Sequence, residues 1–194
     1  MRTDIIDYCQ TEVFNRCKKP ENRFGMGCYY HIKSVVQNGA LLSEHFGADK
    51  EIVIIASWLH DIASVTDYSM YEMHHIYGAK IAGEILSRFH YAPHKTKAVQ
   101  DCIRNHRGSV PGQKQSKEEI CVADADAISH FDNIPSLLYL AYATKAMDYE
   151  KGKQFVIDKL NRSYQKLSDR SKRFYKSKYN NAMDLLNSAS SLAF

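Results

Sequence analysis

Apolar residues along this chain recur at helical spacing, and strict alternation of apolar and polar positions is hard to find. Ala82, Ile85, Leu86 and Phe89 stand at i, i+3, i+4 and i+7, which lines one face of a helix. Val35, Gly39, Leu42 and Phe46 do the same upstream. Val156, Leu160, Tyr164 and Leu167 give a further stripe, followed by a second C-terminal helix around Phe174 to Leu186. Boundary signals agree with this reading. Ser69 with Glu72 and Ser116 with Glu119 have the spacing of capping boxes, and Asp49 suits the N-cap of a helix over 50–60. Pro20, Pro93, Pro111 and Pro135 mark breaks, and "RGSVPGQKQ" at 107–115 is the clearest loop. There is no internal repeat, no heptad series and no low-complexity tract beyond the tail "NSASSLAF". The pattern predicts an all-α fold.

At 194 residues the chain suits one domain with a single substantial core. Within it we expect an N-terminal helical segment over 1–24, a core over 25–135, and C-terminal helices over 136–194 packed on that core. No apolar run approaches the ~20 residues of a membrane helix. The opening "MRTDIIDYCQ" has acids where a secretory leader would be apolar, so a cytoplasmic location and no membrane partner are expected. Cys9, Cys17, Cys28, Cys102 and Cys121 are widely spaced with no Cys-x-x-Cys pair. That pattern indicates neither a disulfide framework nor a thiolate zinc site, and the thiols are expected to stay reduced and pack as small hydrophobes.

The net charge of +4 is unevenly spread. Between Lys145 and Lys178 stand eleven Lys or Arg against four Asp or Glu. A solvated helix face accounts for this. A positive field that draws an anionic ligand is the sharper alternative. No basic, aromatic-interleaved motif accompanies it, so nucleic acid is not an expected partner.

One short stretch changes the picture. "SWLHDIAS" at 57–64 sets His60 and Asp61 side by side after the almost pure hydrocarbon of "EIVIIASWL". Ionisable groups in such surroundings are usually paired or bound to a metal. Neighbours on a regular helix diverge by ~100°, so both reach one ion only where the helix ends. His31 opens a predicted helix, and Asp124 and Asp126 lie inside the helix capped by Ser116. Imidazoles and carboxylates without a thiolate suit manganese, magnesium, iron, cobalt, nickel or zinc.

"YYHIKSVV", "SWLHDIAS", "HHIYGAKIAGEIL", "CIRNH" and "EEICVADADAISHF", in that order, resemble the HD-domain metal-dependent phosphohydrolases with their pattern H…HD…D. The likeness covers roughly residues 25–190 and is nearest the small single-domain members, several of which act on nucleotides. It implies a compact helical HD-domain bundle and a divalent ion, manganese first, held by His31, His60, Asp61 and one acid of "DAD". In relatives that acid falls on the position of Asp126, with Asp124 in reserve, since helical spacing alone lets either face inward. The resemblance further implies catalytic roles for Asp61, as a proton acceptor, and for His106, whose "I-x-x-H" context recurs in relatives. His106 is expected at the rim of the metal pocket as a donor to phosphate or leaving group. Lys80, Arg104, Arg107 and His75 are candidates for substrate binding.

The chain also departs from the pattern. Gly27 and Cys28 stand where many relatives carry an additional His-Asp lead. Ser64 stands where some carry a catalytic glutamate, for which Asp67 is the nearest substitute. The expected activity is hydrolysis of a phosphoester or phosphoanhydride bond of a nucleotide or other small phosphorylated metabolite. The alternatives are a di-iron HD-type oxygenase that recruits His74 or His75, and a non-enzymatic binding module with this fold. Oligomeric state is open, a homodimer among the options.

Overall fold

The computed structural model describes residues 1–107 and 114–187. Among them every regular element is helical: α1 (Thr3–Cys17), α2 (Gly27–Phe46), α3 (Lys50–Leu59), α4 (His74–Arg88), α5 (Pro93–Asn105), α6 (Lys117–Asp132), α7 (Ile134–Tyr139), α8 (Tyr149–Lys166) and α9 (Asp169–Asn187). A 3₁₀ segment, Tyr68–Met73, precedes α4, and α7 runs into a π turn, Leu140–Thr144. The all-α expectation holds. Pro111, most of the predicted 107–115 loop and almost all of the tail lie outside the described residues.

The centre is α3. It is apolar on every side and buried from Ile52 to Leu59, as a helix surrounded by other helices must be. Asp49 caps it as expected, its carboxylate accepting the N–H groups of Glu51 and Ile52. Around α3 lie α1, with its buried stripe Ile5, Cys9, Val13 and Cys17, then α2, α5 and the almost fully buried α6. The stripes are placed as read. Val35, Gly39 and Leu42 face the core from α2, and Ala82, Ile85 and Leu86 from α4. Phe89 falls one residue past the end of α4 and packs its ring on Tyr8.

Some boundaries differ from the sequence reading. Helix α2 begins at Gly27, four residues ahead of His31, and ends on Gly47 in the left-handed conformation (φ 65°) that spares glycine the steric cost of a Cβ. The Ser69/Glu72 box does not form: Asp67 accepts the Ser69 N–H and starts a 3₁₀ turn, so the α-helix waits until His74. Half of the other box forms. Ser116 Oγ accepts the Glu119 N–H, while the Glu119 carboxylate takes the N–H of Gln115 and the amide of Asn105.

The C-terminal helices pack on the rest of the molecule. Val156 and Leu160 join Phe131, Leu137, Ala141 and Ala182 in a second apolar cluster. Leu167 enters the main core, and Tyr164 touches both. Asp124 of α6 accepts the backbone N–H (2.9 Å) and the hydroxyl of Ser168, the residue before α9, and so anchors that helix. No helix among the described residues is long and apolar enough to cross a membrane.

Candidate metal centre

Where α3 stops, the chain turns through residues 60–66, and this lets His60 and Asp61 aim into one space despite being neighbours. His60 is fully buried. Its Nδ1 lies 2.8 Å from the Ser57 carbonyl, which can only accept, so Nδ1 carries the proton and Nε2 presents a lone pair. That Nε2 has no hydrogen-bond partner and stands 3.5 Å from Asp61 Oδ2.

The same construction occurs twice more. His74, first residue of α4, holds Nδ1 2.7 Å from the Tyr71 carbonyl. His106, just past α5, holds Nδ1 2.6 Å from the Ile103 carbonyl. Their Nε2 atoms, both left as acceptors, face each other at 3.3 Å, with His74 Nε2 3.5 Å from Asp61 Oδ1. Opposed lone pairs beside a carboxylate are unfavourable unless a cation or proton lies among them.

From α2 and α6, His31 Nε2 and Asp126 Oδ1 approach to 3.3 Å, and His130 stacks on the His31 ring. Three groups therefore have ligand atoms within 4.8 Å of one another: His31 with His60 and Asp61, His31 with Asp126 and His130, and Asp61 with His74 and His106. The orphaned Nε2 of His60, the paired lone pairs and the N/O donor set all fit a divalent ion. The two acids of "DAD" have different surroundings. Asp126 faces the cavity with His31, while Asp124 is spent on Ser168.

The electrostatics agree. Burial would push the Asp61 carboxyl up, but positive charge beside it on the imidazoles of His60 and His74 holds it well below the usual range. Burial likewise opposes ionisation of Asp126, and Lys166 (Nζ to Oδ2 2.7 Å) with His31 and His130 overcomes it. Burial lowers the His106 imidazole to about 3, so it is neutral at neutral pH.

His31, Asp61, His74, His106, Asp126 and His130 line a cavity of about 630 Å³ between α2, the turn after α3, and α7 and α8, with His60 buried beneath Asp61. Lys145, Lys159, Arg162 and Lys166 from the C-terminal part of the chain also line it, as does Arg107. Phe24, Tyr68 and Tyr71 also line it, the two tyrosine rings 5.7 Å apart and nearly parallel, with Tyr71 stacked on His74.

His31, His60, Asp61, His106 and Asp126 thus come together, and Arg107 reaches the cavity. The other substrate-binding candidates do not. Lys80 is solvent-exposed on α4, and Arg104 is held by Asp101 at 3.0 Å. His75 is buried on a different face of α4 from His74, its Nδ1 without a partner, because successive helical residues diverge. Asp67 is exposed and occupied by Ser69, so it does not replace a glutamate at Ser64. His106 is buried at the ligand cluster rather than at a rim. With Nδ1–H committed to Ile103, its Nε2 is an acceptor, which suits a ligand and not the expected donor.

His130 is not among the candidates read from the sequence, and the α8 cations enter there only within the basic stretch Lys145 to Lys178, none singled out. Lys159, Arg162 and Lys166 stand at i, i+3 and i+7, beside the apolar stripe of the same helix. That spacing was a signal, but only packing shows which of the eleven basic residues turn inward.

The family model of the HD domain matches residues 28–130, more than half of the chain. Among solved structures, Bacillus subtilis YpgQ in complex with ADP is similar over 95% of each chain, with a TM-score of 0.67 and 16% identity. The Listeria innocua protein Lin1889 is similar over 98% of this chain and 96% of that one, with a TM-score of 0.68 and 17% identity. A predicted HD superfamily hydrolase from an uncultured Thermotogales bacterium is similar over 96% and 90%, with a TM-score of 0.58 and 18% identity. At such identities these likenesses speak for the fold. The family match spans the segment that carries His31, His60, Asp61, His106 and Asp126, and with it the chain belongs to the HD domain family.

Proposed function

We propose that this protein is a divalent-metal-dependent phosphohydrolase that cleaves a phosphoester or phosphoanhydride bond of a nucleotide or similarly small phosphorylated metabolite. The observation that carries this reading is one cavity lined both by imidazoles and carboxylates able to ligate a metal and by Lys145, Lys159, Arg162 and Lys166. These cations suit the several negative charges of a phosphate chain, and Arg162 adds the planar fork that grips two phosphate oxygens at once. The volume fits a ligand of nucleotide size. Phe24, Tyr68 and Tyr71 give the cavity an aromatic side that a base can pack against. Binding of ADP by a protein of the same fold adds support.

His31, His60, Asp61 and Asp126 would hold the ion, manganese being the first candidate and magnesium, iron, cobalt, nickel or zinc the others. A divalent ion there supplies Lewis acidity and lowers the pKa of water near neutral pH. The chain's own residues do the rest. Asp61, ionised, accepts a hydrogen bond that orients the attacking water. Lys159 and Lys166 offset charge as it moves to the leaving oxygens. Lys166 is already 2.7 Å from Asp126.

Asp61, His74 and His106 favour a second reading, because beside the first ligand group they would hold a further ion, as a di-iron oxygenase would require. His74, not His75, is then the recruited histidine. Metal analysis of the purified protein, with the absorbance of oxidised iron, separates the two. The direct test is a screen of phosphorylated metabolites with Mn²⁺, Mg²⁺, Co²⁺ and Ni²⁺, following phosphate and pyrophosphate release separately. Turnover with a nucleotide and one of these ions is expected; no release from any phosphorylated compound would refute the proposal.

A further inference from the structure

The cysteines divide into two kinds. Cys9, Cys102 and Cys121 are buried in the core, and burial pushes the Cys9 and Cys121 thiols up to about 12. They behave as the small hydrophobes expected. Cys17 and Cys28 also pack in the core, but against each other. Their Sγ atoms lie 3.3 Å apart across eleven residues of sequence, one at the end of α1 and one in the first turn of α2. Cys28 also lines the cavity, so it is open to a small solute, whereas Cys17 is buried behind it.

The intervening turn is held in place for this contact. The Asn22 side-chain amide donates to the carbonyls of Cys17 (2.9 Å) and Gly25 (3.1 Å) and reaches Cys28 Sγ at 3.3 Å. Cys28 Sγ itself lies 2.8 Å from the Gly25 carbonyl. The hydrogen-bonded contacts with Cys17 and Asn22 hold the Cys28 thiol below its ordinary range against the opposing effect of burial.

We propose that Cys17 and Cys28 form a redox-modification site, closed to a disulfide by a peroxide that enters through the cavity, and that closure weakens cation binding at His31. The Cys28 thiolate attacks one oxygen of hydrogen peroxide, breaks the O–O bond and releases hydroxide, leaving a sulfenic acid. Cys17 sulfur then displaces the second oxygen as hydroxide, and the two thiol protons leave with the two hydroxides as water. Two thiols and one peroxide become one disulfide and two waters.

Bringing the sulfurs from 3.3 Å to the ~2.05 Å of a disulfide draws Cys28 away from the Gly25 carbonyl. His31 stands three residues further along the same helix face, and Phe24 and Gly27 of the cavity wall lie inside the closed loop. The inference uses the metal-binding reading of His31 but not the identity of the reaction.

The test treats the full-length protein with equimolar hydrogen peroxide, removes the excess with catalase, and then titrates Mn²⁺ by calorimetry. Peptide mass spectrometry should find a Cys17–Cys28 cross-link, absent in Cys17→Ser. Mn²⁺ affinity should fall by about tenfold, the lower end of what disturbing a ligand's surroundings costs, and dithiothreitol should restore it. The Cys17→Ser protein should keep its affinity for Mn²⁺ through the peroxide treatment. Two thiols that stay free, or a Cys28 that over-oxidises without linking, would overturn the site. A cross-link that leaves Mn²⁺ affinity unchanged would overturn the coupling. A folded protein that binds Mn²⁺ but hydrolyses no phosphate compound would refute the proposed activity and leave this result standing.

Discussion

His60, His74 and His106 share one local device: each imidazole donates Nδ1–H to the backbone carbonyl three residues earlier. The bond fixes the tautomer and the ring direction together, so a bare Nε2 is delivered without help from distant residues. Asp61 is where the ligand groups of His60 and of His74 with His106 meet, which makes it the most informative residue to remove. Asp61→Ala should lose most of its bound divalent ion in elemental analysis while its far-UV circular dichroism stays helical. Full occupancy would show that the ligands lie elsewhere. The same cluster predicts acid sensitivity. His106 is lowered to about 3 in the fold, against ~6.5 unfolded, so between these values the unfolded chain binds the extra proton. Stability therefore rises with pH across that window and is lost as pH falls from 6.5 towards 3. The depressed carboxyl of Asp126 adds to the loss at the acid end. Metal-free protein should melt on the order of 5 °C lower at pH 5 than at pH 7, with a shallower slope in His106→Asn. A Tm independent of pH would contradict the buried neutral imidazole.

At the scale of elements, the close approach of α2 to α3 depends on Gly39. A Cβ there would lie 2.8 Å from Ser57 Oγ and 3.0 Å from Val53 Cγ1. Alanine would gain ~1 kcal/mol in helix propensity. Against this, Val53 is β-branched and fully buried on α3 and cannot swing aside, so overpacking of about 1–3 kcal/mol should win. Gly39→Ala should thus lower the Tm, and a rise would mean that the two helices can part without cost. Ser57 is also the residue whose carbonyl orients His60, so the variant should bind metal more weakly than its stability loss alone explains. Helix α8 carries a different dependence. Its apolar stripe Val156, Leu160 and Leu167 fixes its rotation, and that rotation turns Lys159, Arg162 and Lys166 into the cavity.

Over the whole molecule, α8 closes one side of the cavity. Residues 28–130 carry every candidate metal ligand, yet Lys145, Lys159, Arg162 and Lys166 come from beyond that segment. Asp124 of α6 anchors α9 through Ser168, and Tyr164 connects the two apolar clusters. A chain ending at residue 148 should expose Phe131, Leu137 and Ala141, become aggregation-prone, and lose phosphate-ligand binding along with the α8 cations. Gel filtration and nucleotide titration check this. A monomeric, fully binding truncation would show that α8 and α9 are an appendage.

The all-helical class, the caps at Asp49 and Ser116 and the apolar stripes were legible in the sequence, because helix period and capping are local properties. So was the membership of His31, His60 and Asp61 in one site: ionisable groups set in hydrocarbon need a partner, and the family pattern supplies its order. Tertiary packing decided the rest. Asp124 and Asp126 are equivalent by spacing, and only the position of Ser168 at the start of α9 takes one of them out of the site. His74 and His75 are neighbours, and only the fold says which points at Asp61. Lys80 and Arg104 carry the right charge near the right motifs but sit on outward faces, while cations more than thirty residues past Asp126 close the cavity. Charge in a sequence has no direction until packing sets the rotation of each helix, and that is why the cluster of His31, His60 and Asp61 could be expected from the chain while the inward turn of the α8 cations had to be seen in the fold.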